Sequence, residues 1–347
     1  MTEADRGSSG EASVGCEPSD APAELAASAA PRVSTQEVPE CPVCAGTDWV
    51  EWSVGFDYEL RTCSNRWRLV QCTDCSHVWL NPRPSVVELG IIYPASYYAY
   101  NYERIRPLAR RAKEMLDRRK MSSILRHLGR APISFLDIGC GDGRYLRMLE
   151  GRGVTRDRLY GLELDATVVQ SLADDGYQVF RERVEDSRSV PDHSIDLATM
   201  FHVLEHVDDP AAVARRVRDW LTPGGLWALE TPNLSSLDAN LFRDRYWGGY
   251  HFPRHWNIFS LETLSRLLED AGFDVQGVSY QTGHSFWMYS LHHVLRYHPR
   301  RQWPRLARWF DPLTNIPFLA FFTTFDKMRA SLGARTSAML VLARKPT

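Results

Sequence analysis

The stretch Phe135-Leu136-Asp137-Ile138-Gly139-Cys140-Gly141-Asp142-Gly143, running on into Arg144 to Glu150, decides the fold. An apolar strand ends in a glycine turn, and a helix opens directly after it. Glycines let the backbone take positive φ and let a ligand approach the main chain, while the first N–H groups of the helix are left for a carboxylate or phosphate. A glycine pattern alone is a weak signal. Here Glu163 closes the next apolar run, about 20 residues on, where a carboxylate can accept hydrogen bonds from both hydroxyls of a ribose. Loop and acid together indicate a nucleoside-bearing cofactor. Cys140, inside the loop, reads as a small packing residue and not as a nucleophile.

Outward from this loop the chain alternates apolar runs with amphipathic helices. Ser134 to Ile138, Leu159 to Leu164, Tyr177 to Phe180, Ile195 to Phe201 and Leu226 to Glu230 read as strands, and Ala166 to Asp175 and Pro210 to Leu221 as the helices between them. Leu261 to Ala271 reads as a helix ended by Gly272, Phe273 to Ser279 as a strand, and Ala338 to Ala343 as a final strand. Such alternation predicts an α/β fold, a mostly parallel sheet covered by helices.

Toward the N-terminus the composition changes twice. Residues 1–36 are rich in Ala, Ser, Glu, Gly and Pro and read as a disordered tail that holds an unligated Cys16. Residues 37–92 carry Cys41-Pro42-Val43-Cys44 and Cys72-Thr73-Asp74-Cys75, two C-x-x-C pairs whose thiolates can meet in a tetrahedral Zn²⁺ site. Such a closed four-thiolate site leaves no open position for chemistry, so its expected role is structural or in substrate presentation. Cys63, between the pairs, reads as a spare. Residues 93–131 begin with Tyr97, Tyr98, Tyr100 and Tyr102, then place Leu108, Ala112, Met115, Leu116, Ile124, Leu125 and Leu128 at helical spacing, so they read as a helical linker. Residues 132–282 form the cofactor-binding core, and 283–347 the C-terminal helices with the last strand of the sheet.

The 347 residues carry a net charge of −2, with 44% hydrophobic and 24% charged residues, which excludes the global basic excess of most nucleic-acid binders. Neither a basic-then-apolar leader nor a run of roughly 18 apolar residues is present, so cytoplasmic residence is expected. Seven cysteines, four of them paired as C-x-x-C, fit a metal site in a reducing compartment better than a disulfide framework.

The G-x-G-x-G of Gly139, Gly141 and Gly143 resembles the cofactor loop of class I methyltransferases, and further stretches match that family in order. These are Pro191 to Leu197, Phe201-His202-Val203-Leu204-Glu205-His206-Val207-Asp208-Asp209-Pro210, and Leu221-Thr222-Pro223-Gly224-Gly225. The match runs from about Ser134 to Phe273. The resemblance implies a Rossmann-like seven-stranded sheet, preceded by the small zinc module, and S-adenosylmethionine as cofactor. It implies that Asp137 and the loop Gly139, Cys140, Gly141, Asp142 and Gly143 hold the methionine moiety and Glu163 the ribose, with Leu164 and Phe201 beside the cofactor. It also places the turn Val184 to Asp186 at the adenine. Val184 stands where many relatives have an aspartate, so Glu185 or Asp186 takes that contact. The cysteine module followed by Asn81-Pro82 looks like the N-terminal unit of bacterial methyltransferases of sugar, glycan and secondary-metabolite pathways.

His202-Val203-Leu204-Glu205-His206 also matches the H-x-x-E-H pattern of inverted zinc peptidases. That reading is set aside, because a peptidase needs neither cofactor loop nor ribose acid, and the family carries a glutamate–histidine pair there beside its substrate. Methyl transfer from a sulfonium needs in-line approach and exclusion of water, with a base only for a reluctant acceptor. Glu205, His206 and His255 are the candidates, His255 lying in the aromatic insertion Arg245 to Trp256. Structural roles for both histidines, one capping a helix and one stitching the insertion, stand beside this.

The expected acceptor is an oxygen or carbon of a small molecule, sugar or lipid-linked glycan, with carbon methylation of a nucleotide sugar as the sharper version. Arg296 to Arg305, then Trp309-Phe310 and the apolar run Ile316 to Phe322, fit either a peripheral membrane contact or a plain domain cap, and the interrupting prolines favour the cap. An RNA methyltransferase, with Arg110, Arg111, Lys113, Arg118, Arg119 and Lys120 on phosphates, is one alternative, against which the net charge weighs. A non-enzymatic zinc-ribbon interaction protein is the other, and the intact glycine loop with Glu163 argues against it.

Overall fold

The computed structural model describes residues 30–94, 107–312 and 314–347. Its centre is β6 (Phe135–Ile138), buried along its whole length and paired in parallel with β7 (Leu159–Leu162) on one side and β9 (Ile195–Phe201) on the other. β8 (Gln178–Phe180) and β10 (Leu221–Pro232) extend the parallel sheet outward. β13 (Ala338–Arg344) inserts antiparallel between β10 and β12 (Asp274–Gln281), giving the order β12-β13-β10-β9-β6-β7-β8. This is the Rossmann-like class I methyltransferase sheet. The chain runs from β6 through β7 to β8, then crosses to β9, so the order reverses beside β6 and opens a crevice at the carboxyl ends of β6 and β9.

Helices cover both faces. On one, α1 (Pro107–Leu128), α2 (Arg144–Glu150) and α3 (Ala166–Asp174) bury Met121, Ile124, Tyr145, Leu149 and Leu172. On the other, α4 (Pro210–Trp220) and α5 (Leu261–Asp270) bury Val213, Val217, Trp220, Leu264 and Leu267. Local chemistry sets their starts. Asp165 accepts from the N–H groups of Thr167 and Val168, Asp209 caps α4 ahead of Pro210, and Ser260 and Thr263 form a reciprocal box at α5. Among the described residues of the expected helical spacing in α1, Ile124 and Leu128 are buried along with Met121, while Met115 and Leu116 are exposed. Tyr97, Tyr98, Tyr100 and Tyr102 lie outside the described residues, as do Cys16 and the side chains of Leu108, Arg110, Ala112 and Lys113.

The N-terminal boundaries differ from the composition reading in two places. Thr35–Gln36 forms β1, paired with β5 (Arg83–Pro84), and Val33 is buried with both backbone groups held by the Asn65 side chain, at 2.9 and 3.0 Å. Order therefore reaches into the stretch that composition assigned to the tail, because a side-chain amide elsewhere satisfies that backbone. Nor does the cysteine unit close on itself. Its strands β2 (Trp49–Gly55), β3 (Trp67–Cys72) and β4 (Val78–Leu80) are completed by β11 (Asn257–Ile258), which comes from the insertion after β10. The two share one core of Trp67, Leu69, Leu80, Trp247, Tyr250 and Phe252.

Arg254 locks this joint. Fully buried, it donates two hydrogen bonds to Asp57, at 2.9 and 3.0 Å, and two to the Ile92 carbonyl, at 3.0 and 2.8 Å. Burial alone would push the Asp57 carboxyl up, but the Arg254 guanidinium outweighs it and holds the acid below its usual range. At the C-terminal edge, α6 (His284–Tyr297) and α7 (Ile316–Ser331) pack through stacked Trp287 and Phe322, and buried Asp326 accepts from Trp287 Nε1 and Gly283 N. The run Ile316 to Phe322 thus opens α7, which packs on α6. No helix among the described residues is long and apolar enough to cross a membrane.

Removing one partner of a buried ion pair strands the other charge and costs about 3–5 kcal/mol. Asp57→Ala is expected to lower unfolding free energy by that amount in urea titration, while Asp57→Glu, which keeps the charge, recovers part of it.

Candidate active site

Gly139, Gly141 and Gly143 all take positive φ, at 74°, 49° and 74°. A Cβ on Gly139 would lie 2.4 Å from Val203 Cγ2, so the loop is pressed against the segment after β9. A Cβ on Gly141 would meet nothing within 4 Å, so this glycine faces open space. Gly139 N and Cys140 N donate to the Leu162 carbonyl, and Gly141 N donates to Glu163 Oε2 at 3.0 Å. Glu163 Oε1 accepts from Leu164 N and Asp165 N. The acid that ends β7 therefore holds the glycine loop, and half-exposed Leu164 flanks it.

Asp137 lies under this loop, 2% exposed. Thr199 Oγ1 donates to its Oδ1 at 2.7 Å, and no protein hydrogen bond reaches its Oδ2. Burial pushes its carboxyl up to about 7. A buried carboxylate with an orphaned oxygen beside a glycine cradle fits the cationic amino end of an amino-acid-like ligand. Phe201 ends β9 with its ring edge-on to Tyr145 and the Lys120 ammonium 4.4 Å from its centroid. Asp142 remains local, its Oδ1 accepting from Arg144 N. Glu185 Oε1 accepts from Asp208 N and from Arg183.

Of the H-x-x-E-H residues, Leu204–His206 form a short 3₁₀ turn after β9, so the motif does not lie along one face of a helix, and its two histidines engage different partners. His202, left-handed at φ 56°, contacts Glu205 at 3.2 Å and Glu230 at 3.3 Å, and Glu230 also receives Lys120 at 2.6 Å. Burial opposes a charge on His202, but the two carboxylates outweigh it and raise its pKa to about 9. Its side chain is still 43% exposed, so solvent screening moderates that pull. His202, Glu230 and Lys120 were not among the residues that sequence reading selected for the site. The carboxyl end of a central strand was the signal available for Glu230, and Lys120, counted there as a phosphate contact, is committed to this ion pair.

His206 turns the other way and meets His255 of the insertion, ring centroids 4.7 Å apart. Its Nδ1 lies 2.9 Å from the Arg254 carbonyl and 3.0 Å from Tyr93 Oη, and His255 Nδ1 lies 2.7 Å from the Gly249 carbonyl. Burial keeps His206 below the usual imidazole range and His255 well below it. Glu205 is fully buried, with Thr231 Oγ1 donating to its Oε2. Glu205, His206 and His255, separated by up to fifty residues of sequence, each bring one ligand-type atom within 4.8 Å of the others.

The cysteine pairs also converge. All four Sγ atoms of Cys41, Cys44, Cys72 and Cys75 lie within 4.8 Å of one another, with Cys41–Cys75 and Cys44–Cys72 at 3.5 Å. A tetrahedron with arms of 2.3 Å has edges of about 3.8 Å, so the set has the size of a metal site. The two turns share one hydrogen-bond pattern. Ala45 N returns to the Cys41 carbonyl and Cys41 N reaches Gly46 O, just as Ser76 N returns to Cys72 O and Cys72 N reaches His77 O. Cys63 is buried elsewhere, in the aromatic core.

Comparison with known proteins finds a matching family and several relatives. A sequence model described as a methyltransferase domain matches residues 101–278, slightly more than half of the chain. A ubiquinone biosynthesis O-methyltransferase of Neisseria meningitidis is 32% identical over 165 residues, 43% of this chain and 67% of that protein. A probable S-adenosylmethionine-dependent methyltransferase of Mycolicibacterium smegmatis is 32% identical over 142 residues, 41% of this chain and 52% of that protein. The chain thus spans between about half and two thirds of the length of these relatives. The crystal structure of a methyltransferase from Mesorhizobium loti aligns with 61% of this chain and 90% of its own at 20% identity, with a TM-score of 0.41. By the matched domain, the chain belongs to the methyltransferase-domain family and is an S-adenosylmethionine-dependent methyltransferase.

Proposed function

We propose that this enzyme methylates an oxygen or carbon of a small-molecule, sugar or lipid-linked acceptor received beside Glu205, His206 and His255. The observation that carries this reading is the meeting of two assemblies at the sheet's reversal point. The glycine loop is tied by Glu163 above the orphaned Asp137 carboxylate, and Val203, which bears on Gly139, leads directly into the Glu205–His206 turn.

In this reading Asp137 and the loop Gly139 to Gly143 hold the methionine end of the cofactor, and Glu163 the ribose, with Leu164 and Phe201 beside it. The bound cofactor supplies an electrophilic methyl group. The chain's part is orientation and exclusion of water, which supply most of the rate for such a transfer. The neutral imidazoles of His206 and His255 orient an acceptor hydroxyl or take its proton. An O-methyltransferase among the relatives supports oxygen as the acceptor atom. Exposed Trp303, Leu306, Trp309 and Phe321 lie in a segment that also carries Arg300, Arg301, Arg305 and Arg308, which supports the lipid-linked version. Zn²⁺ held by Cys41, Cys44, Cys72 and Cys75 would be structural, stapling the unit to which the insertion is joined.

Calorimetric titration with S-adenosylhomocysteine tests the cofactor half. Micromolar binding is expected for the wild type, weakened at least about tenfold in Glu163→Ala and in Gly141→Val, whose side chain would enter the open side of the loop at a strained φ. No binding by the folded wild type would sink the reading. Asp137 adds a pH signature. A cationic ligand prefers the ionised acid, and with a pKa of about 7 in the free protein the ionised fraction rises about tenfold from pH 6 to pH 8. Affinity should therefore rise with pH across that window, and Asp137→Asn should flatten the rise.

A further inference from the structure

We propose that Glu205, His206 and His255 form a second metal site, distinct from the cysteine cluster, that takes a divalent first-row cation and offers it an open position for an acceptor oxygen. The inference rests on the placement of the acceptor beside these residues, and it replaces a free imidazole base with a bound ion.

Three features carry it. One is the donor set: two imidazoles and one carboxylate, drawn from a turn after β9 and from the insertion, brought within 4.8 Å of one another. In a tetrahedral or facial set at roughly 2.1 Å from a common ion, neighbouring ligand atoms stand roughly 3.0–3.4 Å apart, so the side chains need to close by roughly 1.8 Å at most. The next is the way the imidazoles are held. A backbone carbonyl faces each Nδ1, Arg254 O at 2.9 Å for His206 and Gly249 O at 2.7 Å for His255. A carbonyl only accepts, so each Nδ1 carries the proton and each Nε2 the lone pair. That is how ligating histidines are oriented, the outer nitrogen donating to a carbonyl while the inner one faces the ion. The last is the carboxylate. Glu205 is fully buried, its Oε1 near His202 and its Oε2 accepting from Thr231, and a carboxylate has lone pairs beyond those two contacts.

The donor set is not the one that the H-x-x-E-H spacing suggests. His202 is turned to Glu230, and His255, about fifty residues on, takes its place. Two histidines and one carboxylate leave positions open on the ion, as in catalytic zinc and non-haem iron sites, whereas the four-thiolate cluster is closed. An acceptor hydroxyl on the ion would lose its proton more readily.

Cobalt(II) titration of the chelator-stripped full-length protein separates the two sites by spectrum. Thiolate coordination gives strong near-ultraviolet charge-transfer bands, and nitrogen and oxygen coordination gives only weak visible bands. The expected result is two bound equivalents in the wild type, one of each type. His255→Gln and Glu205→Gln should each lose the weak-band equivalent and keep the thiolate bands and S-adenosylhomocysteine binding, while Cys44→Ser should do the reverse to the metal spectra. A wild type that binds one thiolate-type equivalent only, or a weak-band equivalent untouched by His255→Gln and Glu205→Gln, overturns the proposal. If neither variant folds, the wild-type spectrum alone decides. Loss of cofactor binding in the wild type would instead count against the methyl-transfer reading, with the metal result standing by itself.

Discussion

The bidentate pair between Arg254 and Asp57, buried to the last atom, is the constraint on which the acceptor side of this enzyme depends. Its guanidinium belongs to the insertion after β10, its carboxylate to the N-terminal cysteine unit, and its backbone carbonyl fixes His206. A charge pair of this kind is weak evidence for stability, because desolvation offsets most of its attraction. Its value is in position. Four hydrogen bonds, to Asp57 and the Ile92 carbonyl, allow the guanidinium one orientation, and with it the segment His251 to Trp256, whose Trp256 N donates to the Glu205 carbonyl. The cofactor side is built differently, from one strand, one glycine turn and one acid, all within 30 residues of sequence.

That difference explains what was legible. Asp137, Gly139 to Gly143 and Glu163 are local: their roles follow from strand-turn-helix geometry, and the strand limits read from apolar runs agree with the sheet to within a few residues at most ends. Ile195–Phe201 agrees at both ends, while β10 extends to Leu221 and Pro232, past the run Leu226 to Glu230, because its pairing with β13 and β9 continues through less apolar residues. The acceptor side is non-local. Nothing in the spacing of His206 and His255 announces that their rings meet, and nothing in Asn65 or Asp57 announces that the one will hold the Val33 backbone and the other the Arg254 guanidinium.

The same reasoning accounts for the boundary differences. Composition marks residues 37–92 as a module, and its two cysteine turns do converge, but composition cannot register a two-residue strand such as Asn257–Ile258 that completes the module's sheet from far along the chain. His202 shows the converse. Its motif was visible and its pattern suggested metal, yet two neighbouring carboxylates engage it, and it is His255 of the insertion whose imidazole comes beside Glu205 and His206.

The account stands most directly on where the reactive end of the cofactor points. A crystal structure of the metal-replete protein with S-adenosylhomocysteine measures this. The account predicts the ribose on Glu163, the amino group at Asp137, and the sulfur facing the gap bordered by Glu205, His206 and His255. A sulfur directed away from those residues, or an insertion displaced so that His255 no longer borders the gap, would contradict it.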